Sequence, residues 1–98
     1  SGALSPAGSV VLDDGAVQAL GAGKSLLPAG IVTVEGDFQR GDAVIVKTGD
    51  GRELGRGLVA YSAEDAKRII GYKTSEIESL LGYRGRDEMI HRDDLVLD

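Results

Sequence analysis

The spacing of apolar residues shifts near residue 61, from mainly strand-like to helical, and that shift sets the fold class. Before it, apolar runs are short and punctuated by glycine: "SVVLD" at 9–13, "GIVTVEGDF" at 30–38, "DAVIVKT" at 42–48 and "RELGRGLVAY" at 52–61. Runs of that length between turn residues read as strands. "GDG" at 49–51 is a hairpin signal, because its glycines accept positive φ and Asp favours turns. Gly55 and Gly57 inside the returning strand point to a bulge or a close backbone approach. "RGD" at 40–42 lies at a strand entry and reads as a turn, not an adhesion motif.

Beyond residue 61 the pattern is helical. Ser62 with Asp65 is a weaker relative of the Ser-x-x-Glu capping box, and Tyr61 with Ala66 can form its apolar staple. Ile69 and Ile70 supply a buried face, and Gly71 ends the helix. Ser75 with Glu78 is a full capping box for a second helix, which buries Ile77, Leu80 and Leu81 and stops at Gly82. Upstream, Asp13 and Asp14 can cap a helix over "GAVQAL", with Gly21 as the left-handed residue just past its end. "MIHRDDLVLD" closes the chain as a strand-like segment. These elements predict an α+β, mainly β fold: a closed or nearly closed small barrel with two to three short helices.

Ninety-eight residues with 42% apolar content make one domain over 1–98. Three Tyr, one Phe and no Trp leave the core to Val, Leu, Ile and Ala. No cysteine offers a disulfide or a thiolate metal ligand. No apolar run approaches the ~20 residues of a membrane span, and a cytoplasmic setting is expected. The chain opens without methionine on "SGALSPAG", which reads as the start of a fragment of a longer protein. A net charge of −5 opposes strong nonspecific binding to nucleic acid.

Two motifs imitate nucleotide chemistry. "GAGKS" at 21–25 matches the second half of a phosphate-binding loop, but Gln18 stands where the first glycine belongs. The loop also follows a helix and precedes a strand, the reverse of the required order. "HRDD" at 91–94 resembles a kinase catalytic loop, yet the glycine-rich loop, the strand lysine and D-F-G are missing. His91, the only histidine, reads as a packed residue bonded to Asp87, Glu88 or a carbonyl. No catalytic, cofactor-binding or metal-ligating residue is assigned. Arg84, Arg86 and Arg92, with Lys73 and Lys24, form a basic group interleaved with Asp87, Glu88, Asp93 and Asp94. The preferred reading is a solvated surface of mixed charge.

Together, "DDGAVQAL" with "GKSLLPAGI", "VEGDFQRGDAV", "GRGLVAYS" and "SEIESLLGYRGRDEMIHRDDLVL" resemble a PUA domain, the pseudo-barrel named for pseudouridine synthases and archaeosine transglycosylases. The resemblance covers nearly the whole chain. It is narrowest to the C-terminal PUA domain of the bacterial glutamate 5-kinase family. It implies a non-catalytic accessory domain, with the ATP, Mg²⁺ and glutamate sites in an N-terminal amino-acid-kinase domain outside this chain. That kinase domain and a homo-oligomer are the implied partners. RNA is the implied alternative partner, with no membrane contact. By analogy with RNA-binding PUA domains, Gly21, Gly23 and Lys24 would lie in a groove facing RNA or another domain. Arg84, Arg86 and Arg92 are the further candidates for that groove.

Overall fold

The computed structural model describes residues 5–98. In chain order the elements are β1 (Gly8–Leu12), α1 (Asp14–Gly21), β2 (Ile31–Gly36), β3 (Ala43–Thr48), β4 (Glu53–Leu58), α2 (Ala63–Ile69), α3 (Ile77–Leu81) and β5 (Leu95–Leu97). Short 3-10 turns occupy Pro28–Gly30, Thr74–Glu76 and Arg92–Asp94. The five strands form one mixed sheet in the order β2-β1-β3-β4-β5. Only β1 and β3 run parallel; the other neighbouring pairs are antiparallel.

The core follows from the two-residue period of strands. Val10 and Leu12 of β1 and Val44 and Val46 of β3 are buried on one face, joined by Phe38, Met89 and Ile90. In β2 the period breaks. The pairing passes from Val11↔Thr33 to Leu12↔Ile31, so Val32 is the extra residue of a bulge and is exposed. Ile31 and Val34 therefore both face inward, three residues apart. On β1, β2 and β3 the Ser9 hydroxyl donates to Glu35, and Lys47 Nζ lies 3.1 Å from the same carboxylate.

The sheet has two edges, β2 and β5, and main-chain bonds outside its strands join the ends. Beyond β4, the Ala60 N–H donates to the Met89 carbonyl at 2.8 Å. Leu26 and Ile90 form an isolated antiparallel bridge, with Leu26 N–H to Ile90 O at 2.9 Å and Met89 N–H to Leu26 O at 2.8 Å. Leu26 leads directly into the 28–30 turn and β2. The circuit from β2 through β1, β3 and β4 to Met89–Ile90 and back to Leu26 is the nearly closed barrel. The terminal strand-like segment is thus divided: Met89 and Ile90 close this circuit, and β5 adds an edge to β4. Gly55 admits β5, and Gly57 admits the Ile90 side chain and the approach to β5. A β-carbon at Gly55 would strike the Val96 carbonyl and come within 2.7 Å of Leu97 Cα, and one at Gly57 would lie 2.7 Å from Ile90 Cγ2. Leu54 is the unpaired residue of a second bulge in the same strand.

Local caps set the helix starts. Asp13 Oδ1 accepts from Ala16 N–H at 2.8 Å and begins α1. Ser62 Oγ accepts from Asp65 N–H at 3.2 Å and begins α2. The expected Ser75–Glu78 box is not formed. The 3-10 turn at 74–76 starts earlier, and Glu76 instead accepts from Lys73 N–H at 3.1 Å. Ser75 is therefore inside the turn, and Glu78 lies in the first turn of α3. Gly82, with φ of +83°, is the left-handed cap of α3, whereas α2 ends at the extended Ile70 and Gly71, also at +83°, sits in the turn closed by Tyr72 N–H to Ile69 O at 3.1 Å.

The end of α1 also differs from expectation. Gly21 is its last helical residue, and Gly23, with φ of +80°, is the left-handed one. Gly23 N–H donates to Leu20 O and Lys24 N–H to Ala19 O, both at 3.0 Å. These paired bonds are the usual closure around a left-handed glycine. Ala22 continues the helical path that Gly21 was expected to break. Gly21→Ala should therefore stabilise by about 0.5–1 kcal/mol, through the lower backbone entropy of alanine in a helix. Gly23→Ala should destabilise by about 1 kcal/mol or more. Melting temperatures of the two variants should move in opposite directions; movement in the same direction would place the helix end elsewhere.

Candidate functional site

Gly21 ends α1 and Gly23 and Lys24 follow in the loop, where the backbone donors of residues 22–24 are already spent. Ala22 N–H is shared between Gln18 O and Ala19 O at 3.1 Å each, and the N–H groups of Gly23 and Lys24 close the helix end. A phosphate loop needs such groups free and pointing at the ligand. These donors serve the C-terminal end of a helix, where the dipole is negative and disfavours an anion.

Lys24 is exposed, and Ser25 beside it is tied across the molecule: the Arg92 N–H donates to Ser25 Oγ at 2.8 Å. Lys24 and Arg92 consequently line one cleft of about 250 Å³ with Leu20, Gly23, Asp93 and Leu95. Lys24 also borders a larger, mainly apolar cleft of about 410 Å³ between α1 and the 25–30 segment, where Leu20, Leu26 and Leu27 contribute to the lining.

Arg84 and Arg86 sit elsewhere, on the 82–88 segment after α3. They line a cleft of about 260 Å³ with Arg40, Tyr61, Asp65 and Tyr83. An adjoining cleft of about 190 Å³ shares Arg40, Ala60 and Arg86 and adds Glu88, His91 and Asp94. The six candidate residues therefore fall in two places, Gly21, Gly23, Lys24 and Arg92 on one side and Arg84 and Arg86 on the other. The 91–94 turn contributes to both. Arg40 was not legible as a site residue. It lies in a turn more than forty positions before Arg84, and only the fold brings them to one cleft.

His91 does not meet Asp87 or Glu88 as expected. Its Nδ1 accepts from Asp93 N–H at 3.1 Å and lies 3.5 Å from the Asp93 carboxylate. The ring caps the 92–94 turn, because the chain reverses immediately after it. Among the described residues no group of three or more His, Cys, Asp or Glu side chains could hold a metal ion.

The 82–88 segment is held from inside. The buried Tyr61 hydroxyl donates to the Arg86 carbonyl, and burial pushes the Tyr61 phenol pKa up. Gly85 allows this contact, since a β-carbon there would lie 2.9 Å from Tyr61 Cε1. On the outer side Tyr83 Oη donates to Asp65 Oδ2 at 2.7 Å, and Arg84 pairs with Asp87 at 3.4 Å. The Asp65 hydrogen bond, assisted by partial burial, raises the Tyr83 pKa to about 12.

A raised folded-state pKa means that this bond contributes fully below the unfolded tyrosine value of about 10. Its contribution is lost as pH rises through about 12. In an ultraviolet titration, Asp65→Asn should move the ionisation of Tyr83 down toward the ordinary tyrosine range. An unchanged titration curve would show that the Tyr83–Asp65 bond does not form in solution.

Comparison with known proteins gives this architecture a family. Residues 8–81 match the model of the PUA domain. The chain is 62% identical over 97 residues to a glutamate 5-kinase of Paramagnetospirillum magneticum, covering 99% of this chain and 26% of that protein. It is 59% identical over 98 residues to a glutamate 5-kinase of Rhodospirillum rubrum, again covering 26% of the relative. The chain thus spans about a quarter of the length of these curated relatives. Among solved structures it is similar to a PUA domain from Aeropyrum pernix, with a TM-score of 0.62 and 28% identity over 88% of this chain and 43% of that one. With the mixed five-strand sheet, its three helices and the sequence match across residues 8–81, the chain belongs to the PUA domain family.

Proposed function

We propose that the chain is a non-catalytic accessory domain at the C-terminus of a glutamate 5-kinase. The observation that carries this reading is identity of about 60% across essentially the full chain to the C-terminal part of such enzymes. The whole protein would transfer the γ-phosphate of ATP to the side-chain carboxylate of L-glutamate, the opening step of proline biosynthesis. ATP and Mg²⁺ would bind in the amino-acid-kinase domain, where the metal offsets the phosphate charge. The loop after α1 supports this division of labour, because the N–H groups of residues 22–24 close the end of the helix. The present domain would dock against the kinase domain or its oligomer and tune activity or feedback. No helix among the described residues is long and apolar enough to cross a membrane, which fits a cytoplasmic enzyme.

RNA binding is the second reading, favoured by one feature: Lys24 and Arg92 share a cleft beside a mainly apolar hollow of about 410 Å³. The net charge of −5 weighs against it.

The deciding experiment compares the whole kinase with a version lacking these 98 residues. The shortened enzyme should retain ATP-dependent phosphorylation of glutamate, with an altered response to proline. Complete loss of turnover in a folded, shortened enzyme would contradict an accessory role. An RNA affinity of the isolated domain that falls with salt, at a log–log slope of about −0.7 per phosphate, and vanishes in Lys24→Glu would favour the second reading.

A further inference from the structure

We propose that Arg40 and Arg86, with Arg84 beside them, form a binding site for a phosphate group. The proposal stands independently of the reading above, since it concerns a cleft of this domain whatever its parent does.

The first observation is convergence without direct pairing. Arg40 and Arg86 line both of two adjoining clefts. Neither guanidinium has an ion pair or a side-chain hydrogen bond among the described residues. This occurs in a chain with sixteen acidic side chains against eleven basic ones, where counter-charges are plentiful. Two arginines lining one hollow, neither of them ion-paired, leave guanidinium donors for an anion from solution to engage.

The second observation is the charge balance of the larger cleft. In the larger cleft the one carboxylate is Asp65, and it already accepts the Tyr83 hydroxyl. Asp87 engages Arg84, and Asp42 accepts from Gln39 N–H at 2.8 Å. Glu88 and Asp94 line only the smaller cleft. The larger one, lined by Arg40 and Arg86 without ion pairs, by Arg84 paired with Asp87 and by the single carboxylate of Asp65, is therefore the anion site.

The third observation is a fixed framework. Arg40 projects from a turn bound to the end of β4 by Gly41 N–H to Val59 O at 2.8 Å and Val59 N–H to Asp42 O at 3.0 Å. Arg86 is anchored by the Tyr61 hydroxyl on its own carbonyl. Both side chains start from ordered backbone, so less entropy is lost when their forks close on a ligand. Two free guanidinium forks match a phosphate dianion better than a carboxylate, which carries half the charge. The volume of about 260 Å³ holds a phosphate, free or carried by a small metabolite.

The test is an amide and arginine Nε–H NMR titration of the domain with inorganic phosphate, glycerol phosphate and acetate at matched ionic strength. Phosphate should give saturable shifts at Gln39–Gly41 and Arg84–Arg86, with acetate at least about tenfold weaker. Arg40→Gln and Arg86→Gln should each weaken binding by about tenfold or more while preserving spectral dispersion. Lys24→Gln should leave it unchanged. Glycerol phosphate binding as tightly as phosphate would identify a carried phosphate as a ligand; a clear preference for the free ion would identify inorganic phosphate. No saturation by ~20 mM of either phosphate, equal binding of acetate, insensitivity to both arginine variants, or shifts centred on Lys24 and Arg92 would each overturn the proposal.

Discussion

The main-chain exchange between Leu26 and the Met89–Ile90 segment is the constraint on which the rest of the molecule depends. A five-strand sheet with β2 and β5 at its edges does not enclose a core by itself. Met89 and Ile90 bridge the end of β4 to the lead-in of β2, and both side chains are fully buried. Everything beyond α3 is positioned by that crossing. It delivers Arg92 to Ser25 and brings β5 alongside β4, against the two glycines that admit it. It also returns the 82–88 segment over Tyr61.

The two basic places on the surface follow from the same geometry. The closing segment passes through the barrel wall at Met89–Ile90, so the residues before and after it emerge at different clefts. Arg84 and Arg86 meet Arg40 before the crossing, and Arg92 meets Lys24 after it. Their closeness in sequence is misleading about their neighbours in space. One surface joins basic side chains to an apolar hollow beside α1; the other is a polar cleft with two tyrosines. They differ in chemistry, and the chain spans about a quarter of the length of the glutamate 5-kinases it matches.

Features governed by local chemistry were legible in the sequence. The 49–51 hairpin, the Ser62 cap, the positive φ of Gly71 and Gly82, and the close approach at Gly55 and Gly57 all follow from residue type and immediate neighbours. Local rules failed where two solutions competed within a few residues. Gly21 and Gly23 both suit a helix end, and the later one won because Ala22 extends the helix. Glu76 and Glu78 both suit a cap, and the earlier one won because a 3-10 turn precedes α3. The elements alone pointed to a closed or nearly closed barrel, and the resemblance to a PUA domain pointed to the same architecture. Arg40 and the splitting of the basic group were out of reach, since both depend on contacts between distant segments.

Native-state hydrogen exchange tests the closing bridge most directly. If Leu26, Met89 and Ile90 complete the barrel, their amides and that of Ala60 should exchange only through global opening, with the same protection free energy as the buried strand amides of β1 and β3. Exchange of these four amides through a local opening, several kcal/mol below the global value, would contradict the account. It would show a sheet that keeps its core without them.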